Sequence, residues 1–171
     1  LSGSNLDDDE QRQTSGRNGL GVKLLNVFSQ EFRVSIHDPE RQLFYEQHWT
    51  DHMKKCHKPK IRKKSTGKGF TKLSWLPDFS LFGMDKYDDY HCSLYQRYLL
   101  DAAMITKVPV YWNDQKFHFK NLSAYVHLYT KENKKMVDGI FVGSNYMVEY
   151  VVCERFVPLA SISFVNGIYT K

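Results

Sequence analysis

Three glycines, Gly16, Gly19 and Gly21, stand directly before an apolar stripe of helical period, and no other feature restricts the chain as tightly. Glycine tolerates positive φ and carries no Cβ, so the backbone can turn sharply there and a ligand can approach it closely. From Val22 onward, Leu24, Leu25, Val27 and Phe28 repeat at the spacing of a helix that ends before Glu31. A helix opened by such a turn points the free N–H groups of its first turn at whatever lies in front, and they favour an anion. Arg17, Asn18 and Lys23 add donors suited to phosphate oxygens, with Arg17 capable of a two-pronged contact. The spacing G-x-x-G-x-G is neither the dinucleotide-binding G-x-G-x-x-G nor a Walker loop, which needs Gly-Lys followed by Ser or Thr. On pattern alone, a phosphate-binding turn and a purely structural glycine turn both stay open.

The remaining chain is read as a mostly antiparallel sheet with helices on one face. Phe32, Val34 and Ile36 alternate with polar residues, Asp38-Pro39 turns, and Leu43, Tyr45, Gln47 and Trp49 alternate again, which predicts an antiparallel hairpin. Residues 50 to 69 lose periodicity and become basic, so a short helix followed by an exposed loop is expected there. Thr71, Leu73 and Trp75 share one face of a third strand closed by Pro77-Asp78. Leu94, Tyr98, Ala102 and Ile105 predict a helix with that stripe inward. A second hairpin is expected from Val108, Val110 and Trp112, through Asn113-Asp114, to Phe117 and Phe119. Leu122, Tyr125, Val126 and Tyr129 mark the buried side of a short helix, and two further strands are placed at residues 146 to 153 and 160 to 165. Residues 1 to 15 read as a polar loop. Strands and helices in this order fit an α+β fold better than regular alternation.

Composition bounds the class. With 42% hydrophobic residues the chain can bury a real core, and 24 Lys and Arg against 19 Asp and Glu leave a charge of +5 suited to a phosphate-bearing partner such as ATP or DNA. Three scattered cysteines argue against a disulfide framework and for a reducing compartment. No stretch approaches the roughly 18 apolar residues of a membrane span, so no membrane partner is expected. His48, His52, Cys56 and the adjacent His57 would share a helix face, but paired short ligand spacings are missing and no metal site is assigned. The basic run from Lys54 to Lys72 is a DNA contact or, more simply, a solvated loop.

Collinear motifs carry a resemblance that covers most of the chain. Ser4-Asn5, the acidic run Asp7 to Glu10, and Gly16-Arg17-Asn18-Gly19-x-Gly21-x-Lys23-Leu24-x-Asn26-x-Phe28-Ser29 come first. Phe70-Thr71, Pro77-Asp78-x-Ser80-x-Phe82-x-Met84, the Tyr111-to-Lys116 segment, Tyr125-Val126-x-Leu128-Tyr129 and Ser163-Phe164-Val165-Asn166-Gly167-Ile168 follow in order. Together they resemble the ATP lid, and the segment after it, of eukaryotic-type (type IIA) DNA topoisomerase II. The resemblance implies the C-terminal half of a Bergerat (GHKL-type) ATPase sandwich over residues 1–120, then the beginning of a transducer domain over 121–171. It implies ATP and Mg²⁺ as cofactors, double-stranded DNA as the partner of the full-length protein, homodimerisation, and a place in the nucleus or, for a large-DNA-virus homologue, in the viral factory, host cytoplasm or virion.

By position, the resemblance puts Ser4 and Asn5 at the nucleotide's sugar, the run Gly16, Arg17, Asn18, Gly19, Leu20, Gly21, Val22 and Lys23 around the phosphates, and Thr71 near the adenine. Ser15, Leu20 and Val22 depart from the usual residues at positions where the contacts are largely backbone, and Gly3 replaces a usual serine. The family's general-base Glu, Mg²⁺-holding Asn and adenine-reading Asp would precede Leu1, and its phosphate-sensing Lys would follow Lys171. No catalytic residue is therefore assigned here, the chain is expected to be part of a longer protein, and the segment alone is expected to be inactive. Two alternatives stay open: another GHKL clamp of MutL-like or Hsp90-like kind, and a basic DNA-binding module without ATPase activity.

Overall fold

The computed structural model describes residues 18–130, 135–154 and 161–170. They form two compact units that divide between Lys86 and Tyr87.

Among its described residues the first unit is a five-stranded sheet with one α-helix and a short 3-10 helix at Phe79–Phe82. The helix α1 (Leu20–Val27) leads directly into β1 (Ser29–Asp38), which pairs antiparallel with β2 (Leu43–Thr50) on one side and β5 (Phe70–Pro77) on the other. The predicted hairpin and third strand are both present, in a register that pairs Phe32 with Trp49 and Trp75, and Val34 with Gln47 and Leu73. Phe32 and Val34, each 1% exposed, anchor β1. The helix end is stitched to the sheet: Ser29 Oγ donates to the Leu25 carbonyl at 2.6 Å, and the Asp78 N–H donates to the Phe28 carbonyl at 3.0 Å.

The expected short helix after residue 50 does not form. Asp51, His52 and Met53 take φ of 56°, 55° and 68°, a left-handed run that no right-handed helix can contain. The chain instead returns along the outer side of β2 as β3 (Lys55–Cys56) and β4 (Lys60–Lys63), both antiparallel to it. An edge strand presents unpaired N–H and C=O groups, and this return satisfies them on β2. His48, His52 and Cys56 consequently share no helix face.

The second unit is built around α2 (Asp89–Thr106), whose first turn is capped by the Asp88 side chain accepting from the His91 N–H at 2.9 Å. Its buried residues are Asp101, Ala103 and Met104, whereas Tyr98 of the predicted stripe is 56% exposed. The stripe is displaced because α2 turns a carboxylate inward. Asp101 accepts from Arg97 Nε at 2.9 Å and from the hydroxyl of Tyr125 on α3 (Leu122–Val126), whose ring is 1% exposed. Tyr125 and Tyr129 also share a hydroxyl–hydroxyl contact of 2.9 Å. A buried charge is tolerated when paired and hydrogen-bonded, and this polar hub supplies both conditions. Phe119, Leu100, Ile105 and Phe164 pack around it.

The hairpin of β6 (Val110–Trp112) and β7 (Gln115–Phe117) turns at Asn113 and Asp114, both at positive φ, as a two-residue loop requires. Of the two late strands, β9 (Met147–Cys153) and β10 (Ser163–Val165) are present, the second described from residue 163. Their partners β8 (Met136–Val142) and β11 (Ile168–Thr170) were not anticipated.

Burial, reinforced by hydrogen bonding to Asp101 and Tyr129, pushes the Tyr125 hydroxyl far above the ordinary tyrosine range. A raised native value means the folded protein keeps a proton that the unfolded chain releases above pH of about 10. This contribution is intact below that pH and is lost as pH rises, by about 1.4 kcal/mol per unit. Tyr125→Phe is expected to flatten the alkaline limb of stability against pH and, at neutral pH, to destabilise by about 1–3 kcal/mol. Urea denaturation across pH 7 to 11 reads both effects, and an unchanged alkaline limb would refute the assignment.

Candidate phosphate site at the start of α1

Gly19 stands at the N-cap of α1 with φ 61°, in the left-handed region, and among the described residues no side chain caps the helix. Its first turn carries no acidic residue, and among the described residues no side chain accepts from the N–H groups there. A helix N-terminus in that condition suits an added anion through both hydrogen bonding and its dipole.

Gly21 marks an open surface, because a Cβ built there meets nothing within 4 Å. Packing within the described residues does not demand this glycine, and its bareness keeps the backbone accessible. Lys23 and Asn18 are exposed beside it, Leu20 is 55% exposed and Val22 is half-buried. Of the other residues assigned to nucleotide binding, Ser4, Asn5, Gly16 and Arg17 lie outside the described residues. Thr71 is exposed on β5, paired with Ile36, six residues along the strand from Pro77, which pairs with Ser29 where α1 joins the sheet. At about 3.3 Å per residue the separation along the strand is roughly 20 Å. No hydrogen bond or ion pair among the described residues links Thr71 to α1.

Two features of this unit escaped sequence reasoning. Asn26 is 6% exposed with its Oδ1 buried and without a hydrogen-bond partner among the described residues. It sits inside what reads as an apolar stripe, and only packing shows that the asparagine, rather than Leu24 or Leu25, faces inward. His52 Nε2 lies 2.9 Å from Asp78 Oδ2, joining the left-handed turn to the end of β5. Hydrogen bonds from Ser80 and then His52 hold the Asp78 carboxyl below the usual carboxylate range. No sequence motif announces that pair, which depends on a turn conformation without a local signature.

The residues present fit a phosphate group and fit a metal poorly. No cluster of three His, Cys, Asp or Glu side chains among the described residues could hold an ion. His48 and His57 stack at 4.1 Å, but they have no third ligand-type neighbour.

The sheet, the glycine-opened helix and the second α+β unit together define part of a GHKL-type ATPase region. The ATP-binding domain of topoisomerase IV from Francisella tularensis shares this fold, with a TM-score of 0.60 over 91% of the chain at 18% identity. The likeness sharpens with the ATPase region of Saccharomyces cerevisiae topoisomerase II, at TM-score 0.81 and 34% identity over 99% of this chain and 45% of that one. The ATPase and transducer domains of topoisomerase II from Balamuthia mandrillaris superpose with TM-score 0.80 at 32% identity, over 99% and 43%. In sequence, the chain is 38% identical over 173 residues to DNA topoisomerase 2 of Invertebrate iridescent virus 6 and 33% identical over 186 residues to that of Saccharomyces cerevisiae. Both alignments take in 99% of this chain but only 15% and 13% of those relatives' length. No protein-family model matches the chain. The chain belongs to the eukaryotic-type DNA topoisomerase II family, collinear with part of its ATPase and transducer region.

The unpartnered Oδ1 of Asn26 costs stability that an apolar residue of the same size would not. Asn26→Leu is therefore expected to raise the thermal midpoint of the nucleotide-free protein. Calorimetry checks it, and a lowered midpoint would mean that the amide is satisfied after all.

Proposed function

We propose that this chain forms the lid half of an ATP site in a full-length enzyme that changes DNA topology by passing one duplex through a transient double-strand break. One observation carries the reading: the glycine-opened N-terminus of α1, without a side-chain cap among the described residues and with Gly21 open and Lys23 exposed, lies in the stretch that resembles the family's phosphate-wrapping segment. In this proposal Gly16 to Lys23 surround the phosphates, Ser4 and Asn5 meet the sugar, and Thr71 lies near the adenine. Residues 1–120 act as the partial ATPase domain and 121–171 as the start of the transducer. Nucleotide binding would close the lid and join two copies of the region as a homodimer around DNA.

Phosphoryl transfer depends chiefly on positioning and on charge neutralisation by a metal. At the start of α1 the described residues supply backbone donors and the cation Lys23, while the metal and the water-activating base fall to other parts of the enzyme. Binding and lid closure are thus the work assigned to this segment.

Relaxation of supercoiled DNA by the full-length protein is expected to require both ATP and Mg²⁺. Replacing Arg17 and Lys23 together by Ala should weaken ATP binding at least about tenfold, since hydrogen bonds to charged groups contribute about 1.5–3 kcal/mol each. Nucleotide titration of the full-length variant measures it. Unchanged affinity would favour a DNA-binding module that makes no use of the phosphate turn.

A further inference from the structure

Between Asp51 and Asp78 the chain carries nine Lys and Arg residues and no Asp or Glu. Were this the loop expected from sequence, the charges would be spread through solvent. The structure orders them. β4 pairs with β2 so that Lys60 lies opposite Glu46 and Arg62 opposite Phe44. Side chains directly opposite one another share a face of the sheet, and the Arg62 guanidinium indeed lies 4.3 Å from the centre of the Phe44 ring. Glu46 pairs in turn with Ser35, and Ser35 with Lys72, so Lys60, Arg62 and Lys72 all project from one face. Beside Lys72 runs a groove of about 380 Å³ lined by Arg33, Ser35, Lys72 and Ser74 together with the carboxylates of Glu31 and Glu46. By alternation, Thr71 belongs to the opposite face.

The connection from β4 to β5 is fixed as well. His37 is 2% exposed, and its two ring nitrogens face the carbonyl oxygens of Lys68 and Lys64 at 2.9 and 3.2 Å. The Lys64 ammonium lies 5.7 Å from the Phe44 ring centre and 5.6 Å from that of Phe70. Among the described residues, the only ion pair made by any of the nine cations is that of Lys54 with Asp51. Arg62 and Lys64 are held by aromatic faces rather than by carboxylates, which orients the charge without neutralising it.

We propose that this face of the sheet, carrying Lys60, Arg62 and Lys72, is a contact surface for the phosphate backbone of duplex DNA. Phosphate contacts need positioned cations and hydroxyl donors but no base-reading motif; Ser74 stands near Lys72 on this face, while the Ser35 hydroxyl donates to Glu46 Oε2 at 3.5 Å. Prior ordering by pairing with β2 and by His37 reduces the conformational cost of binding. A bilayer is a poorer fit, because the rings beside the cations lie under Arg62 and Lys64 instead of standing free to insert. The inference rests on the proposal that the whole protein acts on DNA, and adds a contact outside the nucleotide site.

The test is the salt dependence of duplex binding by the full-length protein. Each phosphate contact contributes about 0.9 to the slope of log affinity against log salt. Lys60→Gln with Arg62→Gln and Lys72→Gln is expected to lower that slope by about two or more, with basal ATPase activity in the absence of DNA unchanged. Should the triple variant fold poorly, Lys60→Gln alone should lower it by about 0.9. Lys63→Gln removes the same charge from the opposite face and should leave the slope as it is. An unaltered slope in the first two variants overturns the proposal. So does an equal loss in Lys63→Gln, which would indicate net charge alone, or retention on anionic vesicles that depends on these cations while the DNA slope does not. Failure of the underlying reading looks different: the wild-type protein itself would neither bind the duplex nor relax supercoiled DNA, and both proposals would fall.

Discussion

The strand β1 is hydrogen-bonded on both sides, to β2 and to β5, and its register fixes the rest of the first unit. Side chains alternate with period two, so a slip by one residue would turn Phe32 and Val34 out of the core and bring Arg33 and Ser35 into it. Every other placement in the unit follows from that constraint. The helix α1 ends one residue before β1 begins, and the contact of Phe28 with the Asp78 amide ties the helix to the far strand as well. The glycine-opened N-terminus of α1 is therefore presented from a helix whose other end is anchored to the sheet.

The same register separates two kinds of surface. One face of β1 carries the buried Phe32 and Val34, and the other carries Arg33 and Ser35, which line the polar groove with Glu46 and Lys72. His37 belongs to the groove face yet is buried, because the chain between β4 and β5 folds over it and its ring nitrogens meet main-chain carbonyls. The second unit uses a different device. Its centre is a carboxylate, Asp101, made acceptable by Arg97 and Tyr125, and Arg97 also lies 5.4 Å from the Tyr129 ring centre and 5.2 Å from that of Tyr169. A satisfied buried polar cluster specifies its partners by geometry as well as by shape, which an apolar contact does less strictly.

Elements with strong local periodicity were legible in the chain: the β1–β2 hairpin, β5, α2 and the Asn113-Asp114 turn all stand where alternation and turn chemistry put them. Legibility failed where long-range pairing outweighed local signals. β3 and β4 have little alternation of their own and exist because β2 has an open edge to fill. The inward stripe of α2 is not legible from periodicity because it contains an aspartate, which hydropathy assigns to solvent. The β10–β11 hairpin was missed although Asn166-Gly167, both at positive φ, is a strong local hairpin signal.

By itself, the sequence determined the α+β class, the glycine turn that opens α1, and the collinear motifs that tie the chain to its family, because these depend on residue type and short spacing. Only the tertiary structure decided that Gly19 takes a left-handed N-cap, that Asn26 rather than its apolar neighbours faces inward, and that the basic run pairs as strand edge rather than lying as a loop. Those outcomes depend on which strand lies beside which, and partners dozens of residues apart leave no trace in local periodicity.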